Sequence, residues 1–494
     1  MPNQIKFWVP QPALAGAINL SLGPKKFLAQ FVAAANPGAP LPDPGTLPGA
    51  AELIAATLDS GHGANVAPMP VMNLLDRWQL QCHGLVQRLM VLSLLRRTPA
   101  GWHRAPFVAH LEKSLKTSNA FLLGMLYARV STDHWASTNG WGQVVRFWHY
   151  SVLESSAFNF AAITAASKAG NPDFLVQFSN GHWACVEAKG TLDGFDEEKL
   201  RDGMRQACKI IQVSWLVPGV AIPVVAAPVS QACSLAYFDA PAGDMLEVCH
   251  LDPPARKRTR RERPPTPLWF LEAGDFIAWQ CATDQFRTLE RGHESRWPEA
   301  LPRGDFEWAP WLVDEPIWVG VPKVLLSAAD AIDWSLHCLG WLLPELRKWR
   351  NTAVKVLDRP KAGQKRLRKL SKQATERAGS EALTSPQSRC WLLLATLLEG
   401  HGDERPGATW EEALSVVWNA DLLMPLSPDG VGNAVAPPSM ESLWRKLDES
   451  QLPIRRKWRT EANLALAEFD GASSVSVAET ARGLLVVAYQ RVNG

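Results

Sequence analysis

Apolar positions in the first 145 residues recur near helical spacing, as in Leu74, Leu75, Trp78, Leu85, Leu89 and Leu92 to Leu95, and predict mainly helices. One Pro/Gly-rich break, Asn36 to Ala50, interrupts them. From Arg146 the period changes. Phe147 to Lys168 reads as a largely apolar helix, stopped by Gly170-Asn171-Pro172. Two alternating apolar runs then flank Ser179-Asn180-Gly181, a strong hairpin signal. Phe195 to Leu216 reads as a second helix with Leu200, Met204, Ala207, Cys208, Ile211 and Trp215 as its stripe, and Ile222 to Val229 as a buried strand. Trp297, Trp308, Trp311 and Trp318 mark a Trp/Pro-rich region expected to be loops and short strands. Arg347 to Arg377 reads as a basic helix. The remainder reads as helices, with Trp391 to Leu398 and Gly483 to Tyr489 as its most apolar runs.

The hairpin register can be worked out. A two-residue Asn180-Gly181 loop pairs positions summing to 361, whereas a three-residue Ser179-Asn180-Gly181 loop closed by a left-handed glycine pairs positions summing to 360. Only the second sorts the faces. Phe174, Val176 and Phe178 then share one side with Val186, Ala184 and His182. Asp173, Leu175 and Gln177 share the other with Glu187, Cys185 and Trp183, and Lys189 lies two residues beyond Glu187 on that side. Asp173 falls opposite Glu187, and opposed Cβ atoms sit about 4.5–5.5 Å apart. Carboxylates that close repel unless a cation lies between them, and hard divalent metals favour oxygen ligands.

Composition adds limits. At 494 residues the chain has room for about three domains. Hydrophobic residues make 47% and charged residues 20%, which excludes a disordered or fibrous chain. The net charge of +2 means any nucleic-acid affinity must come from local patches. The 22 tryptophans outnumber the 17 phenylalanines, a bias with no evident cause in the sequence. The eight cysteines form no CxxC pair, and Cys82-His83, Cys249-His250 and His337-Cys338 match no zinc module. A reducing cytoplasm is the expected compartment, since Lys6 followed by Pro10, Gln11 and Pro12 makes a poor signal peptide. The longest uncharged run, Ile210 to Phe238, could span a bilayer by length, but Pro218, Pro223 and Pro228, with Ser214, Ser230 and Gln231, argue against a membrane helix; it reads as the end of a helix, a loop and buried strands, so no membrane association is expected.

Pro172-Asp173, thirteen residues, then Glu187-Ala188-Lys189 resembles the PD-(D/E)XK nuclease superfamily. The resemblance covers roughly 100 residues and identifies no subfamily. It implies an α/β nuclease core of helix, β-hairpin, helix and strand at 146–245, between mainly α-helical N- and C-terminal regions. The full division is a helical domain at 1–145, the core, a basic Pro-rich linker or loop at 246–268, a Trp/Pro-rich loop and strand region at 269–345, and a mainly helical region with the basic segment at 346–494. The implied reaction is Mg²⁺-dependent phosphodiester hydrolysis, with Mn²⁺ able to substitute and DNA as the expected substrate. Asp173 and Glu187 would hold the metal, with the Ala188 carbonyl as a further ligand, and Lys189 would orient the attacking water or stabilise developing charge. The helix before the hairpin often supplies another acid in this family. Glu154, the only acid between Phe147 and Lys168, is the candidate. Gln206 resembles a glutamine that some branches carry on the second helix.

Blander alternatives stand beside each assignment. The three charges could sit on a surface hairpin by chance, Glu154 could be a solvent-exposed or hydrogen-bonded acid, and Gln206 an ordinary surface residue. Parity puts His182 on the phenylalanine side, a structural role. Trp183 could stack a base or fill the core. Arg347, Lys348, Arg350, Lys365, Arg366, Arg368, Lys369 and Lys372 are candidate phosphate contacts, although a solvated helix face is the usual explanation for such a run. A second basic stretch runs from Arg256 to Arg263. A restriction-type or anti-phage defence effector is expected, as a homo-oligomer or with a partner protein. The alternatives are a non-catalytic nuclease-like DNA- or protein-binding module and a partner-dependent subunit of a larger defence complex.

Overall fold

The computed structural model describes residues 48–60, 72–98, 101–153, 158–165, 171–218, 224–240, 243–251, 267–290, 304–311, 317–358, 360–380, 386–399, 410–420, 439–450, 473–481 and 483–491. Glu154, Arg256 to Arg263 and nearly all of the Asn36 to Ala50 break lie outside them. The chain is mixed α/β. In the N-terminal part come α1 (Ala50–Ser60), α2 (Leu74–Ser93), a small hairpin of β1 (Leu95–Thr98) and β2 (Gly101–Arg104), and the long α3 (Lys113–Thr138). There follow β3 (Val144–His149), a single turn α4 (Tyr150–Leu153), β4 (Ala161–Ala165), β5 (Phe174–Phe178) and β6 (Trp183–Gly190). Next are α5 (Glu197–Ala207), β7 (Ile210–Leu216), β8 (Val224–Pro228), β9 (Ser230–Asp239) and β10 (Met245–Leu251).

A seven-stranded sheet of order β1-β2-β10-β9-β6-β5-β3 organises these elements. Its strands pair antiparallel except β6 and β9, which run parallel. A parallel pair needs a crossover, and α5 is part of it. The hairpin has the expected register: Phe174 pairs with Val186, Leu175 with Cys185, Val176 with Ala184 and Gln177 with Trp183. Its loop closes through Gly181 at φ +83°, with Gly181 N–H donating to the Phe178 carbonyl at 2.8 Å and His182 N–H donating to Asn180 Oδ1 at 2.9 Å. That positive φ is why glycine ends the loop.

The two faces bury different layers. Phe174, Val176, Phe178, Ala184 and Val186 pack with Met125, Ala128 and Trp135 of α3. Leu175, Trp183 and Cys185 pack on the other side with Ile210, Val213 and Leu216 of β7, within a separate three-stranded sheet of order β4-β7-β8. Trp183 is 1% exposed against Trp148 and Trp215, a core position that leaves no face for a base. His182 stacks on Trp141 with centroids 4.2 Å apart and meets Ser230 Oγ through Nε2 at 2.9 Å.

Several expectations are corrected. The helix expected at 147–168 is instead the end of β3, the turn α4 and β4; Phe147 and Trp148 point to opposite layers, the two-residue period of a strand. The long helix packed on the hairpin is α3, separated from it along the chain by β3, α4 and β4. The second helix stops at Ala207, so Ile211 and Trp215 belong to β7, where β-branched and aromatic residues pair with β4. The strand expected at 222–229 exists as β8 but pairs with β7; the parallel neighbour of the hairpin is β9. Residues 269–345 are not mainly loops. They hold the 19-residue α6 (Glu272–Glu290), β11 (Phe306–Pro310), β12 (Ile317–Pro322), α7 (Lys323–Ser327) and the start of the 30-residue α8 (Ala329–Asp358).

The basic segment is helical, crossing from α8 into α9 (Pro360–Ser380), and Trp391 to Leu398 lies in α10 (Pro386–Glu399). After α11 (Trp410–Asn419) and a helix at 440–450, the chain ends its described course as a hairpin rather than a helix. There β13 (Ser473–Glu479) pairs with β14 (Leu485–Arg491), and β14 adds to β12. The central sheet also takes β1 and β2 from before residue 145. No helix among the described residues is long and apolar enough to cross a membrane, and the run from Ile210 to Phe238 contributes β7, β8 and most of β9.

α3 lies directly on β6. A Cβ at Gly190 would fall 1.9 Å from the Ala120 carbonyl oxygen, and one at Gly124 would fall 2.5 Å from the Lys189 carbonyl carbon. Gly190→Ala should therefore lower stability by about 3 kcal/mol or more, since backbone on both sides must move. Gly194→Ala, which meets nothing within 4 Å, should stay within about 0.5 kcal/mol of the parent. Urea unfolding of both variants measures the difference.

Candidate active site

Asp173 immediately precedes β5, and Glu187 and Lys189 lie on β6, on the face away from α3. Asp173 Oδ2 accepts a hydrogen bond from the Ala188 N–H at 2.8 Å. That bond ties the acid to the strand beside Glu187. Glu187 is 2% exposed and its Oε1 contacts Lys189 Nζ. Its Oε2 is buried with no hydrogen-bond partner among the described residues. Register, parity and proximity thus bring Asp173, Glu187 and Lys189 together. Ala188 turns its side chain into the α3 layer, leaving only main-chain atoms for the site.

α5 covers the group. Asp196 caps it by accepting from the Lys199 N–H at 2.9 Å, and Glu197 and Glu198 in its first turn complement the helix dipole. Lys199 Nζ donates to the Gly190 carbonyl at 3.1 Å, fastening the start of α5 to the end of β6. Leu200, Met204 and Ala207 are buried, as their spacing predicts. Gln206 is half-buried near the end of α5, and no hydrogen bond joins it to either carboxylate. Comparison with protein-family models, curated proteins and solved structures finds no match.

Electrostatics follow from burial. Removal from water, then the neighbouring Asp173 carboxylate, pushes the Glu187 carboxyl up to about 7 despite Lys189 and the Asp173 main-chain N–H pulling it down. Asp173 is also raised by burial, opposed by the Ala188 N–H and Lys189. Burial works against the Lys189 ammonium, but Glu187 and Asp173 outweigh it and hold its pKa above the usual value. With both acids ionised the site would set two negative charges against one ammonium, and Glu187 avoids this by keeping its proton up to about pH 7.

Two carboxylates and a main-chain carbonyl suit a hard divalent cation, which is often held by only one or two carboxylates with water completing the shell. The unpartnered Glu187 Oε2 is the observation that fits such an ion. Among the described residues no group of three or more His, Cys, Asp and Glu side chains is placed to bind one, so the fit rests on this pair and the carbonyl.

Two neighbours were not singled out from sequence. Cys233 of β9 pairs with Glu187, and its buried thiol is pushed well above its usual pKa. Gly203 lies inside α5 against Lys189. A glycine inside a helix was the available signal for the second. The first depended on knowing which strand joins β6. A cavity of about 870 Å³, lined by Glu52, Arg129, Asp133 and Glu479 among others, does not include Asp173, Glu187 or Lys189.

The basic candidates lie elsewhere. Lys365, Arg366, Arg368, Lys369 and Lys372 are exposed on α9, and four of them (Lys365, Arg368, Lys369 and Lys372) share one face by helical spacing. Arg347 and Arg350 are half-buried on α8, Lys348 pairs with Glu345, and Lys372 reaches Glu376 at 3.7 Å.

A buried acid raised from 4.5 to about 7 binds its proton more tightly in the folded state. Its contribution to stability should therefore decline as pH rises across that interval in metal-free protein. Glu187→Gln should flatten the decline and leave the variant more stable than the parent at pH 8. Thermal melts from pH 4.5 to 8 in the presence of a chelator check this.

Proposed function

We propose that the protein is a metal-dependent nuclease of the PD-(D/E)XK type, hydrolysing phosphodiester bonds in DNA. One observation carries the proposal: an aspartate, a glutamate and a lysine converge on one face of a sheet, and a buried glutamate oxygen there lacks a partner. Mg²⁺ or Mn²⁺ held by Asp173, Glu187 and the Ala188 carbonyl would supply Lewis acidity toward a phosphate oxygen and a more acidic bound water. The Ala188 N–H orients Asp173, and Lys189 places positive charge where negative charge develops. α3, β5-β6, α5 and β9 occur in the helix, hairpin, helix, strand order that the resemblance implies, with β3, α4, β4, β7 and β8 inserted.

The exposed basic face of α9 is proposed to track the nucleic-acid backbone. A restriction-type or anti-phage effector in the cytoplasm is the biological role that the chemistry suits best, and the eight free cysteines accord with a reducing compartment. A second reading, a nuclease-like module that binds DNA or a partner without cutting, draws on the near-complete burial of Glu187. Incubation with plasmid and linear DNA, with and without Mg²⁺ and after addition of candidate partners, separates the two.

Asp173→Asn and Glu187→Gln should each weaken Mn²⁺ binding and abolish cleavage. Lys189→Met should still bind metal but cut 10²- to 10³-fold more slowly, the usual cost of about 3–4 kcal/mol for losing a positioned charge. Full activity in Glu187→Gln overturns the assignment. Calorimetry beside a cleavage assay gives both readouts. Neutralising Arg366, Arg368 and Lys369 together should reduce the salt dependence of DNA binding by roughly 0.9 log units per log salt for each phosphate those side chains neutralise, with little change in stability. An unchanged slope returns α9 to a solvated face.

A further inference from the structure

We propose that Gly203 is a positioning residue for the Lys189 ammonium, an inference resting on the nuclease reading only for what the ammonium does. Gly203 sits in the interior of α5, where glycine is less favourable than alanine. Its backbone does not require glycine, because the positive-φ glycines are Gly101, Gly140, Gly142, Gly181, Gly243 and Gly483. Space is the reason. A Cβ at 203 would lie 2.5 Å from Cys233 Sγ, 3.1 Å from Lys189 Cγ and 3.2 Å from Lys189 Cε.

The helix backbone therefore rests on the lysine stem with no side chain between them. A lysine stem has many rotamers, and most swing the ammonium toward water. Contact at both Cγ and Cε lays this stem along β6 and delivers Nζ to Glu187 Oε1. The Lys189 side chain is 25% exposed while that of Glu187 is 3%, so the cation reaches the closed carboxylate from the open edge of the site. A methyl group at 203 displaces the stem by a few tenths of an ångström and moves the charge it carries.

Gly203→Ala should lower kcat for DNA about tenfold to hundredfold, the scale on which small misplacements act, with KM and Mn²⁺ affinity little changed. Because the tightest contact is with Cys233, Gly203→Ala/Cys233→Ala should regain the thermal midpoint of Cys233→Ala without regaining its kcat. Selective ¹³Cε-lysine labelling supplies a readout apart from activity. The Lys189 resonance, identified by its loss in Lys189→Met, should shift in both variants carrying Gly203→Ala. Recovery of kcat in the double variant to that of Cys233→Ala, with the resonance unmoved, overturns the proposal. If the parent cuts no DNA under any condition, the nuclease reading fails, and the lysine resonance alone decides the positioning role.

Discussion

A glutamate that is 2% exposed beside an aspartate is the most demanding feature of this molecule. Water would solvate both acids, and the fold removes it. What remains is one ammonium, the Ala188 N–H on Asp173, the Asp173 N–H near Glu187, and a Glu187 oxygen outside hydrogen-bond distance of any described group. Burying charge with incomplete compensation costs stability, and it persists only where surrounding structure leaves no alternative. Here the alternatives are removed by strand register from one side and by α5 from the other. Two acids crowded enough to hold a proton near neutral pH are a group that a cation could displace that proton from.

β6 is clamped between two helices that approach it through glycine. α3 meets its backbone at Gly124 and Gly190, and α5 meets its lysine at Gly203. The two contacts do different things. The first sets how closely the helix layer lies on the sheet, through backbone that cannot yield. The second leaves room for a flexible side chain on the opposite face and thereby directs it. The parallel β6–β9 pair brings Cys233 beside Glu187, so the floor of the site is apolar sulfur rather than a polar group that could neutralise the acids.

The remaining chain supplies bulk to one side of this sheet. Leu175, Trp183 and Cys185 belong to a core that continues through β7, α6, β12 and the C-terminal helices. Trp183, Trp269, Trp308 and Trp418 are among the largest fully buried side chains, which gives the abundant tryptophan at least part of its physical reason. Such side chains fill wide gaps between layers that smaller residues would leave empty. The hairpin of β13 and β14 joins the same core through β14, whose Leu485 to Ala488 pair with Gly320 to Ile317 of β12, far apart in the sequence.

Local patterns in the sequence determined the hairpin, its three-residue loop and the sharing of one face by Asp173, Glu187 and Lys189, because a period of two and a left-handed glycine leave a single self-consistent register. They also determined the stripe of Leu200, Met204 and Ala207 and the helical basic segment. Local patterns could not decide between helix and strand where apolar residues run together, as at 147–168, 210–216 and 483–489, since burial on every side erases periodicity. Only tertiary structure decided that β9 rather than β8 pairs with β6, that α3 is the helix on the hairpin, and that Gly203 lies over Lys189. Those are contacts between residues far apart in the chain, and their partners are chosen by packing and hydrogen-bond completion rather than by any local preference.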